Sequence, residues 1–164
     1  MLDNPRRLFS NRPVSEQSQP VMSEESHEKG RPLDCAATTR GIRVSVRSFF
    51  LEDQSQPEEG HYVWAYSVKI ENCGREPVQL LRRTWHITDA LGRTQEVKGP
   101  GVVGQQPVLD PGEVFEYTSG TPLDTPSGFM AGAYHMVVSS SGEEFDVQIP
   151  AFSLDSPHQP GRIH

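Results

Sequence analysis

The chain has 164 residues, of which 22 are acidic and 15 basic, giving a formal net charge of -7 at pH 7. This length holds one domain with a substantial core, and the negative charge opposes non-specific binding to nucleic acid or anionic lipid. No apolar run approaches the roughly 18 residues of a membrane-spanning helix, and no apolar segment of an export signal follows Arg6 and Arg7. We therefore expect a cytoplasmic protein with neither a nucleic-acid partner nor membrane insertion.

The first 33 residues are rich in Ser, Glu, Gln and Pro and poor in aromatic and β-branched residues. Such a segment buries too little apolar surface to offset the entropy of ordering it. Residues 1–33 are therefore predicted to form a disordered tail. Met22 offers an alternative translation start to Met1, and the intact mass of the natural protein distinguishes the two.

The two cysteines, Cys35 and Cys73, are too few for a disulfide framework and lack the paired spacing of a zinc site. No two histidines have the i, i+2 or i, i+4 spacing of a metal clamp. The sequence therefore predicts reduced cysteines, no metal site and no cofactor.

From Gly41 onward, apolar residues recur at every second position in several short runs, which is the pattern of half-buried β-strands. Gly or Pro punctuates the intervals between the runs, as turns require. The pattern predicts an all-β, fibronectin-III- or immunoglobulin-like antiparallel sandwich over residues 34–156, followed by a flexible C-terminal tail at 157–164. The in-phase residues are Ile42, Val44 and Val46; Tyr62, Trp64, Tyr66, Val68 and Ile70; Leu81, Trp85 and Ile87; Phe115 and Tyr117; Met130, Tyr134, Met136 and Val138; Phe145, Val147 and Ile149; and, after a register shift at Pro150, Phe152 and Leu154.

Residues 99–104 read GPGVVG and satisfy G-x-G-x-x-G, the spacing of many nucleotide-binding loops. The dinucleotide fingerprint needs a helix after its glycines, and Pro107 and Pro111 exclude one here. Two interpretations remain, of which the first is favoured: a turn between strands, or an anion site built on backbone N–H groups. The candidate phosphate-binding residues are Gly99, Gly101 and Gly104, with charge from Arg83, Arg93 or Lys98.

Arg83 is in phase with Trp85 and Ile87, so its side chain is predicted to lie on the interior face of its strand. A guanidinium in that position needs partners. Glu71 and Asp89 are candidates because they lie near strand ends, and a bound ligand is the alternative.

The segment YTSGTPLDTPSGFMAGAY, residues 117–134, is predicted to be a long loop of small residues between two strands. Phe129 and Met130, close to its end, are candidate contacts for a protein partner. The alternative is a packed crossover that covers the open end of the sandwich.

Several ordered blocks of the sequence resemble the ApaG domain, and the resemblance covers nearly everything from about Thr38 to Leu154. Among these blocks are Trp64-Ala65-Tyr66, Leu81-x-Arg83-x-Trp85-x-Ile87-x-Asp89, Gly99-x-Gly101-Val102-Val103-Gly104, Gly128-x-Met130-x-Gly132-x-Tyr134 and Ile149-Pro150-Ala151-Phe152. The resemblance implies a fibronectin-III-type sandwich. It also implies an association with cobalt tolerance and magnesium efflux, protein binding by related eukaryotic domains, and a phosphate ligand at the glycine motif.

We expect a non-enzymatic binding module, a monomer or weak dimer, that engages a protein partner and is linked indirectly to divalent-cation homeostasis. No nucleophile elbow surrounds Ser119, and no catalytic residue is predicted. The alternative function is a phosphate- or nucleotide-responsive protein that binds a phosphate-containing small molecule at residues 99–104.

Overall fold

The computed structural model describes residues 35–159, which form two antiparallel β-sheets packed face to face. The predicted disordered tail at 1–33 lies outside the described residues. Two single-turn 3₁₀ helices, Glu52–Gln54 and Pro57–Glu59, interrupt the strands. The strands are β1 (Cys35–Thr39), β2 (Ile42–Phe50), β3 (Tyr62–Asn72), β4 (Val78–Asp89), β5 (Thr94–Pro100), β6 (Val108–Leu109), β7 (Val114–Leu123), β8 (Gly128–Val138) and β9 (Glu144–Leu154).

The first sheet has the strand order β1-β2-β3-β7, and the second has the order β5-β4-β8-β9 with β6 paired to the start of β4. All of these pairings are antiparallel. The chain changes sheet between β3 and β4, returns between β6 and β7, and changes sheet again between β7 and β8. The predicted sandwich is confirmed.

The core between the two sheets is mainly aliphatic and contains a cluster of aromatic rings. Tyr66 of the first sheet packs edge-on against Trp85 of the second, with ring centroids 5.3 Å apart, and Phe152 contacts both rings. A polar link accompanies these contacts, because the hydroxyls of Tyr117 and Tyr134 lie 2.5 Å apart and both side chains are buried. Burial raises the pKa of each of these two hydroxyls, so both remain protonated at neutral pH and one donates to the other.

The alternation predicted for β4 is wrong at its start. A β-bulge lies between Leu80 and Arg82, and it shifts the phase of the strand. Leu80 is therefore buried and Leu81 is half-buried, the reverse of the expected assignment. Beyond the bulge, Trp85 and Ile87 are buried as predicted.

The register shift predicted at Pro150 in β9 is confirmed. Met130 pairs with Phe152 whereas Gly132 pairs with Ile149, so β9 carries an extra residue between these two pairs. The bulge allows Ile149 and Phe152 both to reach the core.

Residues 117–134 do not form the predicted long loop. Strand β7 continues to Leu123 and β8 begins at Gly128, which leaves a connection of only four residues. The small residues of this segment serve close packing between strands, because a Cβ atom at Gly128 or Gly132 would overlap a backbone carbonyl oxygen of β4.

The connections between strands lie at the two ends of the sandwich, which are named here after one residue at each. The Phe129 end comprises the β2–β3 connection (51–61), the β4–β5 turn (90–93), the β7–β8 turn (124–127) and residues 155–159. The Gly101 end comprises the β1–β2 turn (40–41), the β3–β4 connection (73–77), the β5–β7 connection (101–113) and the β8–β9 turn (139–143).

Hydrogen bonds join the segments of the Phe129 end. The Trp64 indole donates to the carbonyl of Asp155, and the Ser156 hydroxyl donates to the carbonyl of Pro126. His158 packs against the ring of Phe50. Packed residues therefore extend into the segment that the sequence assigns to a flexible tail at 157–164.

The Tyr117–Tyr134 pair gives a stability prediction. Tyr134→Phe should reduce the free energy of unfolding by about 1–3 kcal/mol, because it leaves the buried Tyr117 hydroxyl without its partner. The double variant Tyr117→Phe/Tyr134→Phe should lose less than the sum of the two single variants, since it removes both hydroxyls. Denaturant unfolding of the four proteins checks this, and strict additivity would contradict it.

Candidate functional site

The glycine-rich segment begins at the end of β5 and is held by Arg83 on the neighbouring strand β4. One guanidinium nitrogen, Nη1, donates to the carbonyl oxygen of Pro100 at 3.1 Å and to that of Gly101 at 2.8 Å. A Cβ atom at Gly99 would lie 3.1 Å from the same nitrogen. Arg83 therefore lies on the interior side as predicted. It hydrogen-bonds to backbone carbonyls, while the carboxylate of Asp89, a predicted partner, bonds to Arg93.

The backbone amides of this segment are engaged within the protein. The Gly101 N–H donates to the carbonyl of Leu81, and Val102 and Gln105 donate to each other's carbonyl oxygens. An anion nest requires successive N–H groups that converge on one open position. These amides instead close a hairpin, so the turn interpretation fits the geometry better.

Positive φ angles explain the two remaining residues of the motif. Val103 and Gly104 are the central residues of the hairpin turn and have φ of 40° and 79°, as in a type I′ turn. Glycine accepts this conformation without penalty, whereas a β-branched residue does so under strain. The Val103 side chain packs against the core, which offsets that strain.

The structure does not bring the predicted phosphate-binding residues together. Lys98 lies on the solvent face of the second sheet, with its ammonium 3.9 Å from Glu96. Arg93 lies at the Phe129 end and bonds to Asp89 at 2.8 Å. Of the three predicted cations, only Arg83 contacts the residues of the glycine motif.

The two candidate protein contacts lie on opposite sides of β8. Met130 is buried in the core with 1% of its surface exposed, so it cannot contact a partner in the folded protein. Phe129 points outward and is 47% exposed. Leu91, in the β4–β5 turn at the same end, is 70% exposed. Leu91 was not predicted from the sequence, although an apolar residue beside Gly92 in a turn is a signal that could have identified it.

The solvent face of the second sheet carries a histidine between two carboxylates. The His135 ring bonds through Nε2 to Glu144 at 2.6 Å and through Nδ1 to Asp146 at 2.7 Å. The bond to Glu144, followed by that to Asp146, raises the pKa of His135, while the pKa of Glu144 is lowered by the same contact. The three groups form an ionic cluster that ties β8 to β9.

Two further observations concern metal and membrane binding. Within residues 35–159, no group of three or more His, Cys, Asp or Glu side chains is arranged to hold a metal ion. The same residues contain no helix that is long and apolar enough to span a membrane.

The two-sheet sandwich, with its inward arginine and clamped glycine hairpin, belongs to the fibronectin-III-like class of all-β domains. A sequence model of the ApaG domain matches residues 52–138. The protein ApaG of Rhodospirillum centenum is 70% identical over 120 residues, covering 73% of this chain and 92% of the relative. The protein ApaG of Paramagnetospirillum magneticum is 63% identical over 127 residues, covering 77% of this chain and 97% of the relative.

A solved structure gives the same result. The crystal structure of an ApaA protein from Bordetella pertussis is 48% identical, with a TM-score of 0.68, and the match covers 78% of this chain and all of that one. The chain belongs to the ApaG family.

The packing role of the glycines gives a prediction that compares two of them. Gly101→Ala should destabilise the protein more than Gly104→Ala, although both glycines have positive φ. A Cβ atom at Gly101 would overlap the Gln105 carbonyl, whereas a Cβ atom at Gly104 would have no other atom within 4 Å. Gly104→Ala should therefore cost only the conformational penalty of about 1–2 kcal/mol. Thermal and denaturant unfolding measure both costs, and equal losses would contradict the packing explanation.

The His135 cluster predicts a dependence of stability on pH. The raised pKa means that the folded state binds a proton more tightly than the unfolded state, so the contribution of His135 to stability is complete below the unfolded pKa of about 6.5. It is lost as the pH rises through the folded-state pKa. The difference in unfolding free energy between the wild type and His135→Gln should therefore shrink from pH 6 to pH 9.

The matched control is His86→Gln on the same face, where the nearest carboxylate, Glu96, lies 3.8 Å from the ring nitrogen. Because this contact is longer than either contact of His135, His86→Gln should change the unfolding free energy at pH 6 less than His135→Gln does. High salt should reduce the loss caused by His135→Gln. A pH-independent difference for His135→Gln would show that its ion pairs do not stabilise the fold.

Proposed function

We propose that this ApaG family protein is a non-enzymatic binding module that engages a protein partner through the Phe129 end. The observation that supports the proposal is the joint exposure of Leu91 and Phe129 at one end of the sandwich. Large apolar side chains that remain exposed at one end of a domain are typical of surfaces that bind other proteins.

The rigidity of the Phe129 end supports the same proposal. The backbone N–H of Ala90, next to Leu91, donates to the Thr125 hydroxyl, which in turn donates to the carbonyl of Ser127. These bonds fix the β4–β5 turn against the β7–β8 turn. A preorganised surface loses little entropy when a partner binds, so modest apolar area gives more affinity.

The family resemblance implies an association with cobalt tolerance and magnesium efflux, and we propose that this link is indirect. The protein acts on cation homeostasis through its partner, and the cytoplasm is the proposed location. A phosphate site at residues 99–104 is disfavoured, because the amides of Gly101, Val102 and Gln105 already have backbone partners.

Affinity capture from a lysate of the natural source tests the proposal. The bait is the full chain, compared with Phe129→Ser and Leu91→Ser. Both variants should fold normally, because substitutions of exposed residues usually change stability by no more than about 0.5 kcal/mol. We expect the proteins that the wild type captures specifically to be lost from both variants.

Phe49→Ser is the matched control, since Phe49 is an exposed phenylalanine on the outer face of the other sheet. It should retain the captured proteins. Equal recovery by the wild type and by both Phe129-end variants would refute the assignment of this surface. Met130→Ala is unsuitable as a binding variant, because truncating a buried methionine costs about 2–5 kcal/mol of stability.

A further inference from the structure

Two of the four sheet edges of the sandwich lie against each other. Strand β1 ends the first sheet and β9 ends the second, and the backbone N–H of Gln148 in β9 donates to the hydroxyl of Thr39 in β1. Strands β7 and β5 form the other two edges, and within residues 35–159 each of them pairs with one strand. The outward N–H and C=O groups of such an edge strand can pair with another chain.

The pairing of β5 with β4 determines which backbone groups of β5 point outward. The Gly101 N–H donates to the carbonyl of Leu81, and hydrogen-bonded pairs recur at every second position of an antiparallel ladder. Val97 is one of the residues in phase with Gly101, so its N–H and C=O face β4. The β5 residues whose N–H and C=O face away from β4 are Thr94, Glu96 and Lys98.

The outward-facing residues of β5 carry one negative and one positive charge, two positions apart. The Glu96 carboxylate lies 3.9 Å from the Lys98 ammonium and 3.8 Å from the ring of His86. The side chains of Glu96 and Lys98 are 48% and 66% exposed, so both extend into solvent beside the edge. Strand β7 differs, because Glu116 is its one charged residue. The β5 edge therefore carries a pattern of alternating sign that the β7 edge lacks.

A second copy of β5 matches this charge pattern. In antiparallel pairing centred on Val97, Glu96 lies directly opposite the second copy's Lys98, and Lys98 lies opposite the second copy's Glu96. Pairing centred on Glu96 would place two glutamates opposite each other, and pairing centred on Lys98 would place two lysines opposite each other. Charges on an edge strand ordinarily oppose pairing with another chain. In the register centred on Val97, however, each charge meets its opposite, which stabilises a strand pair.

We infer that two copies of this chain associate through β5 as a symmetric dimer. The N–H groups of Glu96 and Lys98 donate to the carbonyls of the second copy's Lys98 and Glu96, and the two-fold axis repeats both bonds. The half-buried Val97 side chains contact each other across the axis. So short an interface makes the dimer weak and reversible. The inference does not depend on the proposed function, because no pairing residue belongs to the Phe129 end.

Amide hydrogen exchange in the full-length wild type, followed by NMR at increasing protein concentration, tests the pairing. We expect exchange at Glu96 and Lys98 to slow as the concentration rises, because these amides gain acceptors only in the dimer. The Val97 amide bonds to β4 and should be protected at every concentration. Exchange at Glu96 and Lys98 that does not change with concentration, or slowing confined to β7, would overturn the inference.

Charge reversal tests the register, with sedimentation equilibrium as the measurement. Glu96→Lys and Lys98→Glu should each raise the dimer Kd by about tenfold or more, because each variant places like charges opposite each other. An equimolar mixture of the two variants should associate again, since every lysine then lies opposite a glutamate. Dimerisation of either single variant with the wild-type Kd, or a mixture of folded variants that stays monomeric, would refute the register.

Two further variants serve as controls. Glu96→Lys/Lys98→Glu exchanges the two charges and should dimerise with a Kd close to that of the wild type. Glu116→Lys makes the same change of charge at an exposed position on the β7 edge and should leave the dimer intact. Loss of the dimer in Glu116→Lys would place the interface on β7 and overturn the inference. If a single variant fails to fold, the exchange measurement on the wild type still decides.

Discussion

The inward position of Arg83 is the constraint on which the architecture of the Gly101 end depends. A guanidinium on the interior side of a sheet must find acceptors, because leaving it unbonded away from water is costly. The carbonyl oxygens of Pro100 and Gly101 provide them. The end of β5 is thereby drawn onto β4, and a side chain at Gly99 would crowd the guanidinium. Burial raises the pKa of the Tyr117 and Tyr134 hydroxyls, and the positive charge of Arg83 lowers it by a smaller amount.

This constraint accounts for a motif that resembles a nucleotide-binding loop. Each glycine of G-x-G-x-x-G has a separate structural reason in this chain: crowding by Arg83 at Gly99, crowding by the Gln105 carbonyl at Gly101, and a positive φ at Gly104. The three requirements fall at the same spacing as a phosphate-binding fingerprint, although the fingerprint depends on a following helix. Spacing alone therefore does not distinguish a ligand-binding loop from a clamped hairpin.

The strands that line the core were predictable from sequence because one face of each is buried, which forces apolar residues into alternate positions. Strand β5 was missed since its residues are mostly exposed and show no alternation. The bulge at Leu80 was missed because it arises from the pairing of β4 with β8, and the sequence of β4 alone does not show which strand it pairs with. The inward direction of the Arg83 side chain was predictable from its alternation with Trp85 and Ile87. Its hydrogen-bond acceptors were not, because they are backbone carbonyls, which every residue carries. The β7–β8 turn was mistaken for a long loop because its small residues pack against β4, whose approach is a tertiary property.

The location of the cysteines has a practical consequence for handling the molecule. Cys73 is exposed in the β3–β4 connection at the Gly101 end, whereas Cys35 is half-buried in β1. The backbone N–H of Cys73 donates to the carbonyl of Gly41, so the position of Cys73 on the fold is fixed. A thiol-reactive linker on Cys73, with Cys35 replaced by serine, would immobilise every molecule on a sensor in one orientation. The Phe129 end, at the opposite end of the sandwich from Cys73, would then lie on the side away from the sensor surface.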